Sequence, residues 1–409
     1  MQKYIKMAWR NIWRNWRRTM IAAAAIVLGL ILLIFMDAMI KGSDQAMFGN
    51  AVRLYGGNVQ VHAPGFRIRA SRFPMIPLKN TEEIMQAALA QPQVVSASRR
   101  INTLGMVSDL EGTFPVTITG IQPAVESPIS LVAENITRGR FLQDDDKNAI
   151  IIGKGLADLL KVSVGDRVTL VGRRVNEAMR QHSMTIVGIF DLGLAEAEKG
   201  MVFINLPDAQ TLYNLRRQET EVSITLQSIG LEDSTKSALQ ASLPQYEIDS
   251  WETLRPEIRR MMDIKAAFSS IFGLVVLLIA SIGILNLMLM AVFERTREMG
   301  VLAALGLKGR QIMVLFLLEG IFIGFVGAVI GCFLGWMAVL AVGQVGINFS
   351  FASNVGEIGA LLGDRIYPSI SIADILGYGL AVLVIAALAS LYPALQASRK
   401  EPAEALHYV

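Results

Sequence analysis

Four long apolar runs, each bounded by charge, restrict this chain more than any other feature: they fall at residues 20–41, 266–293, 312–342 and 372–395. A helix rising 1.5 Å per residue needs about 20 such residues to cross a hydrocarbon core. All four runs are long enough. The composition agrees, with 53% hydrophobic and only 18% charged residues, against about 25% charged in a soluble domain. Apolar residues are concentrated in the runs, so the average hides a second, more ordinary part of the chain. The expected fold class is an α-helical membrane protein of four transmembrane helices, with a large α+β domain inserted between helices 1 and 2.

Basic residues set the orientation, because positively charged flanks stay cytoplasmic. The N-terminal segment, residues 1–19, carries Lys3, Lys6, Arg10, Arg14, Arg17 and Arg18 and no acid. Residues 294–311 carry Arg295, Arg297, Lys308 and Arg310, and the tail at 396–409 carries Arg399 and Lys400. The loop at 343–371 holds only Arg365. Both termini are therefore expected in the cytoplasm and residues 42–265 on the outer side of the membrane. A basic start before an apolar run also describes a cleaved signal peptide, but no A-x-A-like site follows the long first run, so it reads as a signal anchor.

Between residues 42 and 265 the pattern changes to short alternating runs such as GGNVQVHAPG, TFPVTITGI, GDRVTLVG and SMTIVGIF, which are strand signals. Helical stretches interrupt them: TEEIMQAALAQ has Thr81 as N-cap candidate ahead of acids, and LPDAQTLYNLRRQ and LEDSTKSALQASL read alike. A second subdomain is placed at about 104–215. The segment WETLRPEIRRMMDIKAAFSSIF has no glycine before Gly273, so it runs into the second span as a stalk-like helix, and SDQAMFGNAVRLYG extends the first in the same way. Such stiff joints either position the domain or carry movement to it.

Inside the membrane, Gly320, Gly324, Gly327, Gly331 and Gly335 fall on one face of the third span. Small residues at this spacing let helix backbones approach closely, within the four-helix unit or between subunits. Acids within spans are costly. Asp37 and Asp374 lie near the outer ends of theirs, and Glu319 is expected to pair with Arg310 or Lys308 or to reach the interface. Three scattered acids without buried basic partners do not form a proton relay. Cys332, the only cysteine, reads as packing filler in an apolar block. His62, His182 and His407 lack ligand-like spacing, so no metal site and no bound cofactor are expected. No P-loop motif occurs, GKG at 153–155 lacking the upstream glycine and the following hydroxyl, and neither H-E-x-x-H nor G-x-S-x-G is present, so no catalytic residue is assigned. In residues 294–311, Met299, Val301, Leu302 and Leu305 lie between charged flanks. An amphipathic helix of this kind lies on a membrane surface or docks into a partner's groove.

The order of one span, a large insert and three spans, the loop ERTREMGVLAALGLKGRQIMVLFLLEG and the ending YPALQASRKEPAEAL resemble the permease subunits of the MacB, FtsX and lipoprotein-releasing LolC/LolE group of ABC transporters. Within the insert, GNVQVHAPGF and GKGLADLLKVSVGDRVTLVG followed by MTIVGIF look most like the lipoprotein-releasing branch. The resemblance covers nearly the whole chain. It implies a non-catalytic subunit of the bacterial inner membrane, paired with a second permease copy or paralogue and with a cytoplasmic ABC ATPase dimer that binds ATP and Mg. The coupling helix would lie within residues 294–307, with Glu294, Arg295, Arg297, Glu298, Met299, Gly300, Leu302 and Leu305 meeting that ATPase. In a mechanotransmission cycle the stalks would carry ATP-driven movement to the insert.

In the lipoprotein-releasing branch acyl chains enter between the first two spans, where Ile34, Phe35, Met36, Met261, Met262 and Phe268 stand here by position. The insert would pass lipoprotein or another amphiphilic cargo to a periplasmic chaperone. One segment departs from that branch: GRRVNEAMRQHS at 172–183 replaces a proline-containing chaperone hook, leaving Arg173, Arg174 and Arg180 as candidates for an acidic partner. A MacB-like exporter of peptides or small molecules working with a periplasmic adaptor, and a non-transporting regulator of a periplasmic partner, are the alternatives.

Overall fold

The computed structural model describes the chain except for residues 1, 15, 73–74, 110, 173–178, 194, 255, 349–364 and 400–409. Among the described residues the helices of seven residues or more are, in chain order, α1 (Gln2–Arg14), α2 (Trp16–Tyr55), α3 (Thr81–Leu89), α4 (Lys154–Leu160), α5 (Leu206–Leu212) and α6 (Glu232–Ser242). Four follow: α7 (Pro256–Glu294), α8 (Thr296–Ala304), α9 (Gly309–Val345) and α10 (Ile372–Ser398). The chain divides into two compact units, one of Met1–Ser43, Met262–Ile347 and Ile366–Val409, the other of Asp44–Met261 and Asn348–Arg365.

The first unit contains the four spans. Helices over Thr19–Tyr55, Arg259–Glu294, Gly309–Val345 and Ile372–Ser398 are long and apolar enough to cross a membrane. Each helix outruns its apolar stretch, because hydropathy marks the crossing and says little about where backbone hydrogen bonding stops. α10 begins where its sequence provides a cap: Ser371 Oγ accepts from Asp374 N, and the Asp374 carboxylate accepts from Ser371 N at 3.2 Å.

The glycine face of α9 serves two neighbours in turn. A Cβ on Gly320 would stand 1.7 Å from Ser390 Oγ and one on Gly324 2.4 Å from Ala386 Cβ, so the first part of α9 lies directly against α10. On Gly327, Gly331 and Gly335 it would meet Ile26, Leu30 and Ile34 at 2.8–2.9 Å, so the next part lies against α2. These five glycines thus bring three helix backbones together inside one chain. Two of the acids placed near the outer ends of spans also acquire a role: Lys41 Nζ lies 3.0 Å from Asp37 and 2.7 Å from Asp374, linking α2 to α10.

The second unit is α+β. Its strands are β1 (Val59–His62), β2 (Val94–Asp109), β3 (Gly112–Ile121), β4 (Ile136–Gly139), β5 (Ala149–Gly153), β6 (Arg167–Gly172), β7 (Arg180–Phe190), β8 (Met201–Asn205), β9 (Glu221–Leu226) and β10 (Glu247–Ser250). They form one sheet in the order β10-β1-β9-β2-β3-β8-β5-β7-β4, with β6 joining β2 to β7. β2 is the shared member. Its first half pairs antiparallel with β9 and its second with β3 and β6. Two hydrophobic cores sit along it: one around Val59, Val61, Ile84, Ile224 and Ile248, the other, drawn from Ile101 to Leu215, around Ile118, Ile150, Leu170, Ile186 and Tyr213.

Glycine is demanded at two places in this unit. α2 stops at Tyr55 because Gly57 turns at φ 80°, and a Cβ there would stand 2.5 Å from Ile224 O. Gly172 and Gly105 open a slot for Tyr213, whose ring would lie 2.6 Å from a Cβ on Gly172 and whose hydroxyl donates to Leu104 O at 3.3 Å. Burial alone raises the Tyr213 phenol above its ordinary range.

Candidate functional site

The most structured charged site in the membrane unit surrounds α8. Gly306, at φ 98°, stops this short helix, and Lys308 N donates to Gln311 Oε1 at 2.8 Å as α9 begins. α8 is therefore a separate helix between two spans, as the amphipathic pattern suggests. Arg295, Thr296, Met299 and Gly300 are buried, whereas Arg297, Glu298, Val301 and Leu305 are exposed. Leu302 is half-buried and Glu294 exposed. The apolar residues thus divide, Met299 packing inward while Val301 and Leu305, one turn apart and 45% and 76% exposed, remain outside.

Two ionic contacts fasten α8. Arg295 Nη1 donates to both oxygens of Glu319 on α9, at 3.0 and 3.1 Å, and both side chains are almost fully buried. This corrects the expected pairing of Glu319 with Arg310 or Lys308 and supplies the buried basic partner that the sequence reading lacks. Arg14 Nη2, at the end of α1, donates to Glu298 at 2.8 and 3.1 Å in an exposed position. Helix α1 in turn packs on α9 through Trp9, whose ring lies edge-on to Phe322 at 5.8 Å. The charge-based reading of residues 1–19 misses this role. Its signal is the i, i+4 spacing of Trp9 and Trp13 within α1.

The residues placed near an acyl chain do not form one group. Ile34 is fully buried, filling the space above Gly335. Its side chain is committed to packing within the chain. Phe35, Met36, Met261 and Met262 are half-buried. Phe268 is 65% exposed and belongs to a stripe of Ile264, Phe268, Ile271, Val275, Leu278 and Ile282 along α7. Their alternating spacing of four and three residues makes one continuous apolar seam. At the candidate partner loop, Arg180 is exposed at the start of β7 and pairs in register with Gly172, while Arg173 and Arg174 lie outside the described residues.

A four-span membrane unit, an α+β insert after the first span and a short helix keyed into the third define a membrane permease. Residues 270–402 match the FtsX-like permease C-terminal model, and residues 19–243 match the MacB-like periplasmic core domain. The chain belongs to this family of MacB-like, FtsX-like permeases.

Among its relatives is the lipoprotein-releasing system transmembrane protein LolC of Neisseria meningitidis serogroup B, 25% identical with 99% of this chain and 97% of the relative covered. Another is the macrolide export ATP-binding/permease protein MacB of Hyphomonas neptunium, 26% identical, with 98% of this chain and 60% of the relative covered. The crystal structure of the periplasmic region of MacB from Actinobacillus actinomycetemcomitans aligns with 53% of this chain and 98% of its own, at 14% identity and a TM-score of 0.36.

Proposed function

We infer that the chain is the membrane subunit of an ATP-driven machine that releases lipoproteins from the bacterial inner membrane toward the outer membrane. ATP is hydrolysed on a separate cytoplasmic ATPase, with Mg bound there. The observation that carries this reading is α8: a short helix fixed to α9 by the buried Arg295–Glu319 pair, with Val301 and Leu305 presented outward between charges. Two exposed apolar side chains on an anchored helix fit a groove in a cytoplasmic protein better than a simple turn does. The basic flanks of the first, second and fourth spans support placing both termini and α8 in the cytoplasm, with the inserted domain in the periplasm.

Movement of α8 would reach the inserted domain through α2 and α7, which run unbroken over Trp16–Tyr55 and Pro256–Glu294. Within the membrane unit the two are tied where Lys265 Nζ donates to Ser43 Oγ at 3.0 Å. The α7 seam around Phe268 is the surface offered to cargo acyl chains and to a second permease. Lipoprotein as cargo is supported by relatives of the LolC kind, which match nearly the full length of the chain. Incorporating a photocrosslinker at Phe268 and at Met36 tests it: with the ATPase and ATP present, adducts to acylated lipoprotein are expected at Phe268. Their absence at both positions in an active complex would sink the extraction reading. The MacB-type relative supports a second reading, export of peptides or small molecules with a periplasmic adaptor, which the same probe distinguishes by the mass of the adduct.

A further inference from the structure

An apolar groove of about 430 Å³ opens on the surface of the membrane unit between α1, α2 and α9. Trp9 and Trp13 of α1 line it with Trp16, Met20, Ala24 and Val27 of α2, and Ile323 and Ile330 of α9 close its other wall. Nearly every lining group is hydrocarbon or aromatic. Trp13, Trp16 and Met20 are more than half exposed, so the groove opens outward. From Trp16 to Val27 it follows α2 for eleven residues, about 16 Å at 1.5 Å per residue. That is close to half the roughly 30 Å hydrocarbon core, the depth of one leaflet. Towards its Trp13 and Trp16 end basic residues outnumber acids: Lys6, Arg10 and Arg17 are all exposed, while Arg14 is paired with Glu298 of α8. The Arg17 guanidinium lies 5.8 Å from the Trp16 ring centroid, at the mouth of the groove.

We propose that this groove is a binding site for one bilayer phospholipid with an anionic headgroup, its acyl chain lying along α2 and α9 and its phosphate facing the basic residues of α1 and the start of α2. Tryptophans at the boundary between apolar tail and charged head suit such a ligand, because their rings are apolar with one polar edge. The site is separate from the α7 seam assigned to cargo. It rests on the membrane-subunit reading only in which leaflet supplies the lipid.

The test is quenching of tryptophan fluorescence by lipids brominated on the acyl chain. The full chain carrying Trp336→Phe is reconstituted into vesicles of phosphatidylcholine containing increasing mole fractions of either brominated phosphatidylglycerol or brominated phosphatidylcholine. Brominated phosphatidylglycerol is expected to quench at about fivefold lower mole fraction, the ratio given by about 1 kcal/mol for one basic contact. Lys6→Gln/Arg10→Gln/Arg17→Gln should equalise the two lipids, and Ala24→Phe, filling the groove from an exposed position, should weaken quenching by both. Equal quenching in the unsubstituted groove would mean ordinary surrounding lipid and overturn the proposal. So would unchanged quenching in Ala24→Phe, or loss of quenching on adding the cytoplasmic ATPase, which would assign the groove to a protein partner. Bromine is present in both leaflets and neither ATP nor cargo is added, so the result is independent of whether lipoprotein release occurs.

Discussion

Arg295, just before α8, places its guanidinium against both oxygens of Glu319 two turns into the next span, with the two side chains almost completely shielded. Removing one partner strands the other as a buried charge, which typically costs about 3–5 kcal/mol. Glu319→Gln should therefore lower the thermal midpoint of the purified protein markedly, and Arg295→Met should do the same. The double replacement Arg295→Met/Glu319→Leu should recover most of that loss, since well-packed apolar residues replace a buried pair at little cost. If the double variant is folded yet no longer couples ATP hydrolysis to cargo release, the pair acts in transmission. Full coupling would reduce it to a structural contact.

Glu298 presents a different balance. Its contact with Arg14 is half exposed, so the pair contributes at most about 1 kcal/mol. Replacing Glu298 with Ala, or Gly300 with a larger residue, is expected to disturb ATPase coupling with little change in the inserted domain. The measurement is cargo-stimulated ATP hydrolysis beside the melting of that domain. Normal ATPase association and normal release in both variants would remove α8 from the docking role.

The glycines of α9 should differ in their tolerance of a methyl group. At Gly320 an added Cβ lies 1.7 Å from Ser390 Oγ and 2.6 Å from its Cβ, whereas at Gly335 the nearest atom is the Ile34 Cδ1 methyl at 2.9 Å. A methyl at the end of a flexible side chain moves aside more readily than a Cβ. Gly320→Ala is expected to destabilise by about 1–3 kcal/mol, and Gly335→Ala by less. Adding Ser390→Gly should restore part of the loss in the first case only, as read by thermal unfolding in detergent.

In the inserted domain Asp146 accepts from Arg140 at 2.6 and 2.7 Å and from Gln143 N at 2.9 Å. The Arg140 hydrogen bonds hold its pKa below the ordinary carboxylate range. A lowered folded-state value contributes stability above the unfolded pKa of about 3.9 and loses it as pH falls through the folded value. The stability gap between the unsubstituted protein and Asp146→Asn should then be widest near neutral pH and close in acid. Midpoints of urea unfolding measured across that range provide the check. A gap that widens below pH 4 would contradict the assignment.

Hydropathy made the four crossings and the α+β insert legible because both follow from local pattern, about 20 apolar residues in one case and two-residue alternation in the other. The continuation of α2 past its apolar run, through Ser43 and Asp44 to Tyr55, was legible too, because polar residues do not themselves break a helix. Periodicity could have excluded one of the two partners read for Glu319. Arg310 lies nine residues earlier on the same helix, and at about 100° per residue that is the opposite face. Arg295 reaches Glu319 past the whole of α8, and Lys41 on α2 reaches Asp374 on α10; contacts of that kind depend on packing. Ile34 shows the same limit, since its sequence position suits an acyl chain while its side chain fills the space above Gly335.

The strand β2 carries a consequence for anyone transplanting parts between relatives. Because its first half completes the core around Ile224 and its second half the core around Ile118, excision at 104–215 would cut through a paired strand and strip Ile118–Gly120 of β3 of their partners Ile101–Thr103. A chimera that exchanges the inserted domain should therefore place its seams outside residues 59–250, so that each parent contributes whole hydrogen-bonded ladders.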